Sequence, residues 1–293
     1  MGNYVGFDIE ATTDTLTMSN KKTRQRLRDL LKEYDLPVLD VNTPLPPNAV
    51  EMCFAGVSPD NPAVTHVNGR RVVGCTSWLS LTVDPLLAFP CCLLAHSAPS
   101  LTKQSTFCLQ WHASYAILKD RPLHYRRTNS GSLVNTYTDS SWANKPDMST
   151  YYGFLQDCCG AAFRWRAFSG HQVHESTRGP ELLAGVTGTH AAMMQRQLAF
   201  EARFGSAPSD IIMPLHMDNT ASIANATSDN IHLRSRHQAI RIGVIRQAVR
   251  DMIIKPSYVP SKQNPADAMT KPMGSGELAM FYPMIYGVVR HAR

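Results

Sequence analysis

Four carboxylates in the second half of the chain stand where a fold can converge side chains that are far apart in sequence: Asp139, Glu181, Asp218 and Asp267. Asp139 closes SLVNTYTD (132–139), which reads as a strand. Glu181 follows Pro180 at the opening of a long helical stretch, where a residue lacking an N–H costs nothing. Asp218 ends the strand-like IIMPLHMD (211–218), and Asp267 opens a short helical segment over 264–270. Hard oxygen donors of this kind suit Mg²⁺ or Mn²⁺. Two such ions held ~4 Å apart can activate a water and stabilise a leaving oxygen in phosphodiester hydrolysis. A carboxylate at a strand end is, taken singly, more often simply solvated, so the contexts of the four carry the reading.

The elements that must position them follow from periodicity. STYYGFLQDCC (149–159) and AAFRWRAF (161–168) read as two further strands. The helix that Glu181 opens carries an apolar stripe of Leu183, Val186, His190 and Met194. A short helix is expected from Asn219, a helix over 236–252 with Ile242, Ile245, Val249 and Met252 on one side, and a fifth strand over 253–260. Three strands able to pair antiparallel, then helix, strand, helix, strand and helix, predict an α/β fold: a mixed five-stranded sheet flanked by helices.

The first half is mainly helical. A strand is expected over 4–10, then a helix over 18–36 capped by Ser19 or Asn20, with Leu27, Leu30, Leu31 and Tyr34 on its apolar side. Lys21, Lys22, Arg24, Arg26, Arg28 and Lys32 lie on the other side, either as a solvated face or as a phosphate-tracking one. Residues 37–70 read as loop. Helices follow near 72–81, 85–96 and 101–119, the last with Phe107, Cys108, Trp111, Tyr115 and Leu118 directed to a core. RRTNSGS (126–132) reads as a linker. The expected organisation is 1–125, a linker at 126–132, a domain at 133–273 and a tail at 274–293.

Five segments then resemble, in order, the ribonuclease H domain of copia-like LTR retrotransposons. YTDSSWA (137–143) is similar to that family's Y-[ST]-D-x-x-W-A, and STRGPELLAG (176–185) to S-S-T-E-A-E-Y-M-A-L, with the second glutamate at Glu181. MDNTASI (217–223) is similar to C-D-N-x-[SG]-A-I, and HLRSRHQAIRIGVIR (232–246) to H-x-R-[ST]-K-H-I-x-I-x-x-H-F-I-R. YVPSKQNPADAMTKPM (258–273) is similar to Y-V-P-[ST]-x-x-Q-x-A-D-I-x-T-K-P-L. Upstream, YVGFDIE (4–10), TPLPP (43–47), the block at 73–90 and AILKDRPLHY (116–125) resemble the family's reverse-transcriptase thumb and connection.

The resemblance implies a ribonuclease H-like fold and endonucleolytic cleavage of the RNA strand of RNA–DNA hybrids. Asp139, Glu181, Asp218 and Asp267 would bind two Mg²⁺ or Mn²⁺ ions. His237 would assist product release or proton transfer, or be an ordinary surface histidine. Arg164, Arg166, Arg234, Arg236 and Arg241 are candidate phosphate contacts, and Asn219 either touches RNA or caps the short helix. The chain departs from the pattern at Gly179, where the family has its first glutamate, at Gly243, where it has a third histidine, and around Phe168 and Ser169, where it has two lysines. These departures leave a non-catalytic hybrid-binding remnant as one alternative; a fragment functional only with an upstream polymerase domain is the other.

No Asp-Asp dipeptide occurs, so no Y-x-D-D polymerase turn exists in this chain, and an upstream palm and fingers are the expected partner. The start on NYVGFDIE reads as part of something longer. A net charge of +6 favours a polyanionic partner without identifying one. Seven cysteines without a C-x-x-C argue against a disulfide framework or a zinc site, and His171 and His174 read as a surface loop. No secretory signal is visible. The longest apolar stretch, 85–95, is too short to span a bilayer and contains Pro90. An intracellular protein is expected, in a cytoplasmic particle or the nucleus.

Overall fold

Asn20 decides where the first helix starts: its side-chain oxygen accepts the Thr23 N–H at 3.0 Å, which satisfies one of the orphan donors of the first turn. Met18 and Ser19, read from sequence as helical, belong instead to the preceding strand. The computed structural model describes residues 2–4, 6–127, 134–174, 176–204, 211–228 and 236–288, without the side chains of 2–4, 199, 200, 202–204, 236 and 237. Strands β1 (Gly2–Tyr4), β2 (Phe7–Ala11) and β3 (Thr15–Ser19) lead into α1 (Lys21–Glu33), α2 (Ala49–Phe54) and the two-residue β4 (Ala63–Val64). Then come α3 (Gly69–Thr82), a 3-10 turn, α4 (Ala88–Ser97), β5 (Leu101–Thr102), α5 (Lys103–Leu118) and β6 (Leu123–Arg126). The last returns to β3, giving a four-stranded sheet in the order β1-β2-β3-β6.

Three further expectations for this half change. Residues 37–70, read as loop, hold α2 and β4, because Asn48 turns the chain into a helix whose Ala49 and Cys53 are buried. Arg24 does not lie on the solvated basic face of α1. It is buried at 4% exposure, with Asp84 3.1 Å and Asp120 3.0 Å from its guanidinium. Along α5, Cys108 and Tyr115 are fully buried, but Phe107 and Leu118 are 40% and 43% exposed. The buried face runs instead through Leu109, His112, Ala113 and Ala116, because α5 is the central helix against which α1, α2 and α3 pack.

The second half opens with β7 (Val134–Ser141), β8 (Ser149–Cys158) and β9 (Ala161–Val173), an antiparallel meander. Helix α6 (Arg178–Phe204) crosses the sheet to β10 (Met213–Met217), which pairs parallel with β7. Helices α7 (Thr220–Thr227) and α8 (Arg236–Arg250) carry the chain to β11 (Ile254–Tyr258), parallel to β10. The strand order is β11-β10-β7-β8-β9. This is the mixed five-stranded sheet flanked by helices that the sequence led us to expect. β9 runs five residues further than expected and takes in His171, which is therefore on a strand and not in a loop.

Helix α6 turns a different face to the sheet from the one its apolar stripe suggests. Leu182, Ala184, Thr189 and Ala192 are fully buried, whereas Met194 is half exposed. Small residues decide this: a Cβ on Gly188 would stand 2.3 Å from Thr138 Cγ2, so the helix approaches β7 as closely as backbone allows. Counting large apolar residues misses such a face.

The other side of the sheet meets the helical half. Tyr151 of β8 is buried among residues of α1, α3, α4 and α5, edge-on to Phe89 at 5.0 Å. Leu86, Ala88 and Leu123 share a second core with Tyr137, Leu155, Trp165 and Met269. The segment read as a tail contributes α9 (Ser275–Tyr286), whose Leu278, Phe281, Ile285 and Tyr286 are buried in that core. Among the described residues no helix is long and apolar enough to cross a membrane.

Candidate metal centre

Asp139 lies in the C-terminal half of β7, opposite Gly153 of β8. A Cβ at Gly153 would come within 2.4 Å of the Met269 Cβ, so the glycine lets the 3-10 turn Pro265–Met269 settle against the sheet beside Asp139. Asn264 fixes that turn. Its oxygen accepts the Ala266 N–H at 3.2 Å, and its amide donates to the Thr138 carbonyl at 2.9 Å. Asp267 is thereby held against the strand that carries Asp139. Asp218 follows β10 directly. Asn219, next to it, caps α7 by accepting the Ser222 N–H at 2.9 Å, the second of its two expected roles.

The nearest ligand atoms of Asp139, Asp218 and Asp267 all lie within 4.8 Å of one another. Glu181, in the first turn of α6, is not within that spacing of all three. It borders them, and its charge acts on Asp139 while those of Asp218 and Asp267 act on it. Hydroxyls orient the group. Thr270 donates to Asp139, Ser140 to Glu181 Oε1 at 2.7 Å, and Ser261 to Asp218 Oδ2 at 2.8 Å. Lys271, one turn beyond Asp267, places its Nζ 2.6 Å from Asp267 Oδ2.

Burial makes this grouping costly without a cation. Asp139, Glu181 and Asp267 are 3%, 7% and 4% exposed. Glu181 Oε2 and Asp267 Oδ1 are buried and accept no hydrogen bond. Burial, and then the charges of Asp218 and Asp267, push the Glu181 carboxyl up to about 8. Burial, followed by the neighbouring carboxylates, also raises Asp139 and Asp267. Unpaired buried carboxylate oxygens arranged this way fit a divalent cation, which takes hard oxygen ligands and offsets the like-charge repulsion.

A pH dependence follows. A carboxyl raised in the folded state contributes stability that is fully present below its unfolded value, 4.5 for Glu181, and that is lost as pH rises through about 8. The metal-free protein is expected to lose on the order of several kcal/mol between pH 5 and 9. Saturating Mg²⁺ is expected to remove most of that loss. Urea melts across this range check it, and a flat metal-free profile would contradict it.

The remaining expected residues contact other groups or lie outside the described residues. Arg164 lies over the Phe154 ring at 5.7 Å, Arg166 over Phe168 at 5.2 Å, and Arg241 donates to Gln172 at 2.9 Å. Arg234 and the side chains of Arg236 and His237 are outside the described residues. His174 accepts or donates to the Tyr152 hydroxyl at 2.8 Å, and its ring stands 2.6 Å from where a Cβ on Gly179 would be. At that distance any side chain at 179 displaces the ring. Sequence reasoning missed Asn264, Thr270, Ser140, Ser261 and Lys271. Ser140 lies in 137–143 and the other four in 258–273, segments that carry the resemblance, which was the available signal.

No family model matches the chain. Over 144 residues, 48% of its length, it is 26% identical to the retrovirus-related Pol polyprotein from transposon TNT 1-94 of Nicotiana tabacum. The chain is thus similar over about half of its length to a retrotransposon Pol polyprotein. It spans only 10% of that polyprotein's length. Solved structures similar to part of this chain include the N-terminal RNase H domain of rv2228c from Mycobacterium tuberculosis, solved as a fusion with maltose-binding protein. It is 11% identical, with a TM-score of 0.37, and covers 47% of this chain and 89% of that one. RNase H1 of Halobacterium salinarum NRC-1 is 15% identical with a TM-score of 0.35, over 47% and 93%. LC11-RNase H1, solved in complex with an RNA/DNA hybrid, is 13% identical with a TM-score of 0.36, also over 47% and 93%.

Proposed function

We propose that the chain is a metal-dependent endonuclease that cleaves the RNA strand of RNA–DNA hybrids, acting within a reverse-transcriptase polyprotein inside the cell. One observation carries this reading: three carboxylate donors within 4.8 Å of one another, with buried, unpartnered oxygens on Glu181 and Asp267. Asp139, Asp218 and Asp267 would hold the metal, with Glu181 beside them. Bound Mg²⁺ or Mn²⁺ supplies Lewis-acid stabilisation of the charge that develops at the scissile phosphate.

The chain's own groups set the geometry of that chemistry. Thr270, Ser140 and Ser261 each hold one carboxylate in orientation, so that the donor set is formed before substrate arrives. The hybrid would be held through phosphates and 2′-hydroxyls, because A-like geometry hides base edges from side chains. The polymerase chemistry of such a polyprotein would come from an upstream palm and fingers, since this chain has no Asp-Asp turn.

A labelled RNA–DNA duplex incubated with the purified chain tests this reading. Fragments are expected in Mg²⁺, none in EDTA, and none from a DNA–DNA duplex. Salt-sensitive hybrid binding without cleavage at any Mg²⁺ or Mn²⁺ concentration would instead mark a binding remnant.

A further inference from the structure

Lys271 stands where a cation is needed and no metal ligand is. Its ammonium reaches into the carboxylate group from the same turn that carries Asp267, pairing with Asp267 Oδ2 at 2.6 Å. Asp267 is in turn within 4.8 Å, donor to donor, of Asp139 and Asp218. The Lys271 side chain is 42% exposed, whereas that of Asp267 is 6% exposed, so the lysine closes the cluster from the solvent side. Its charge acts on Asp139, Glu181 and Asp267 together. Within one turn, Asp267 supplies a donor oxygen, Thr270 orients Asp139 and Lys271 supplies positive charge.

Taking the cluster as the divalent centre proposed above, we infer that Lys271 is its resident counter-cation, holding the metal-free carboxylates together and leaving Asp267 when a divalent ion enters. A divalent ion bound at ~2.1 Å to the unpartnered Oδ1 of Asp267 would leave the ammonium on Oδ2 within a few ångströms of the metal charge. Like charges ~4 Å apart repel strongly at a partly buried site. A lysine can yield the place, since its charge rides on four flexible methylenes that open directly to solvent. The half-exposed side chain has that route. Lys271 thus raises the divalent concentration needed to fill the centre and spares the metal-free fold from unpaired buried charge.

Mn²⁺ titration of the full chain by calorimetry, without nucleic acid, tests this. Lys271→Met and Lys271→Gln are each expected to lower the half-saturating Mn²⁺ concentration about tenfold, the effect of removing one nearby positive charge. Lys271→Arg keeps the charge and is expected to stay near the wild-type value. Thermal melts should show a larger Mn²⁺-induced rise in Tm for Lys271→Met than for wild type. If Lys271→Met unfolds without metal, Mn²⁺ is expected to restore its circular dichroism; a variant still unfolded at saturating Mn²⁺ overturns the counter-cation role. Unchanged or weaker Mn²⁺ binding in the Met and Gln variants also overturns it and leaves the divalent centre standing. A wild-type chain that binds no Mn²⁺ removes the centre itself.

Discussion

Asp218→Asn and Asp139→Asn are each expected to lower hybrid cleavage by roughly three orders of magnitude or more, with the fold intact. Each change is isosteric and removes one anionic donor. In Asp139→Asn the new amide oxygen can still accept the Thr270 hydroxyl that now serves Asp139, so the turn at 265–269 keeps its anchor. The metal-free Asp139→Asn protein is expected to melt higher than wild type, because a buried charge that faces Asp267 and Glu181 is gone. Activity and stability thus move in opposite directions, as they do where function requires a destabilised constellation. Single-turnover cleavage with thermal melts measures both. Cleavage retained by purified Asp218→Asn would remove the assigned chemistry.

Asp84→Ala is expected to cost about 3–5 kcal/mol, because it strips a buried guanidinium of its fully buried partner. Asp84 is 0% exposed, sits 3.1 Å from Arg24 of α1, and accepts the Tyr286 hydroxyl of α9. Arg121 adds to this junction, lying over the Tyr282 ring at 4.2 Å and donating to the Tyr115 hydroxyl at 2.9 Å. One carboxylate therefore ties the first helix of the chain to the last. Tyr286→Phe removes a single hydrogen bond to a charged group and is expected to cost about 1.5–3 kcal/mol. Urea melts of the full chain should remain a single transition in both variants. A loss below about 1 kcal/mol for Asp84→Ala would show that solvent or Asp120 satisfies Arg24 instead.

The sequence revealed the sheet better than it revealed what surrounds the carboxylates. The segments 132–139, 149–159 and 211–218 read as strands, and Pro180 before Glu181 marked a helix start. Those signals are local, and so are their causes. The hydroxyls that orient the carboxylates are not local: Thr270 reaches Asp139 across 131 residues, and Ser140 reaches Glu181 across 41. No periodicity records such a pairing. The face of α6 was misjudged because Gly188 packs by being small, whereas a hydrophobic stripe counts only what is large. α9 did leave a signal, with Leu278, Phe281 and Ile285 at helical spacing, but Pro283 interrupts the pattern a helix is expected to show. Arg24 looked like one more basic residue on a basic face, and only the fold brings Asp84 to it.

Anomalous scattering from crystals grown in Mn²⁺ tests the central claim most directly. Density is expected among the carboxylates of Asp139, Asp218 and Asp267, bordered by Glu181, with the Lys271 ammonium withdrawn from Asp267. A saturated crystal with no peak there, and with Lys271 still paired to Asp267, would contradict the account.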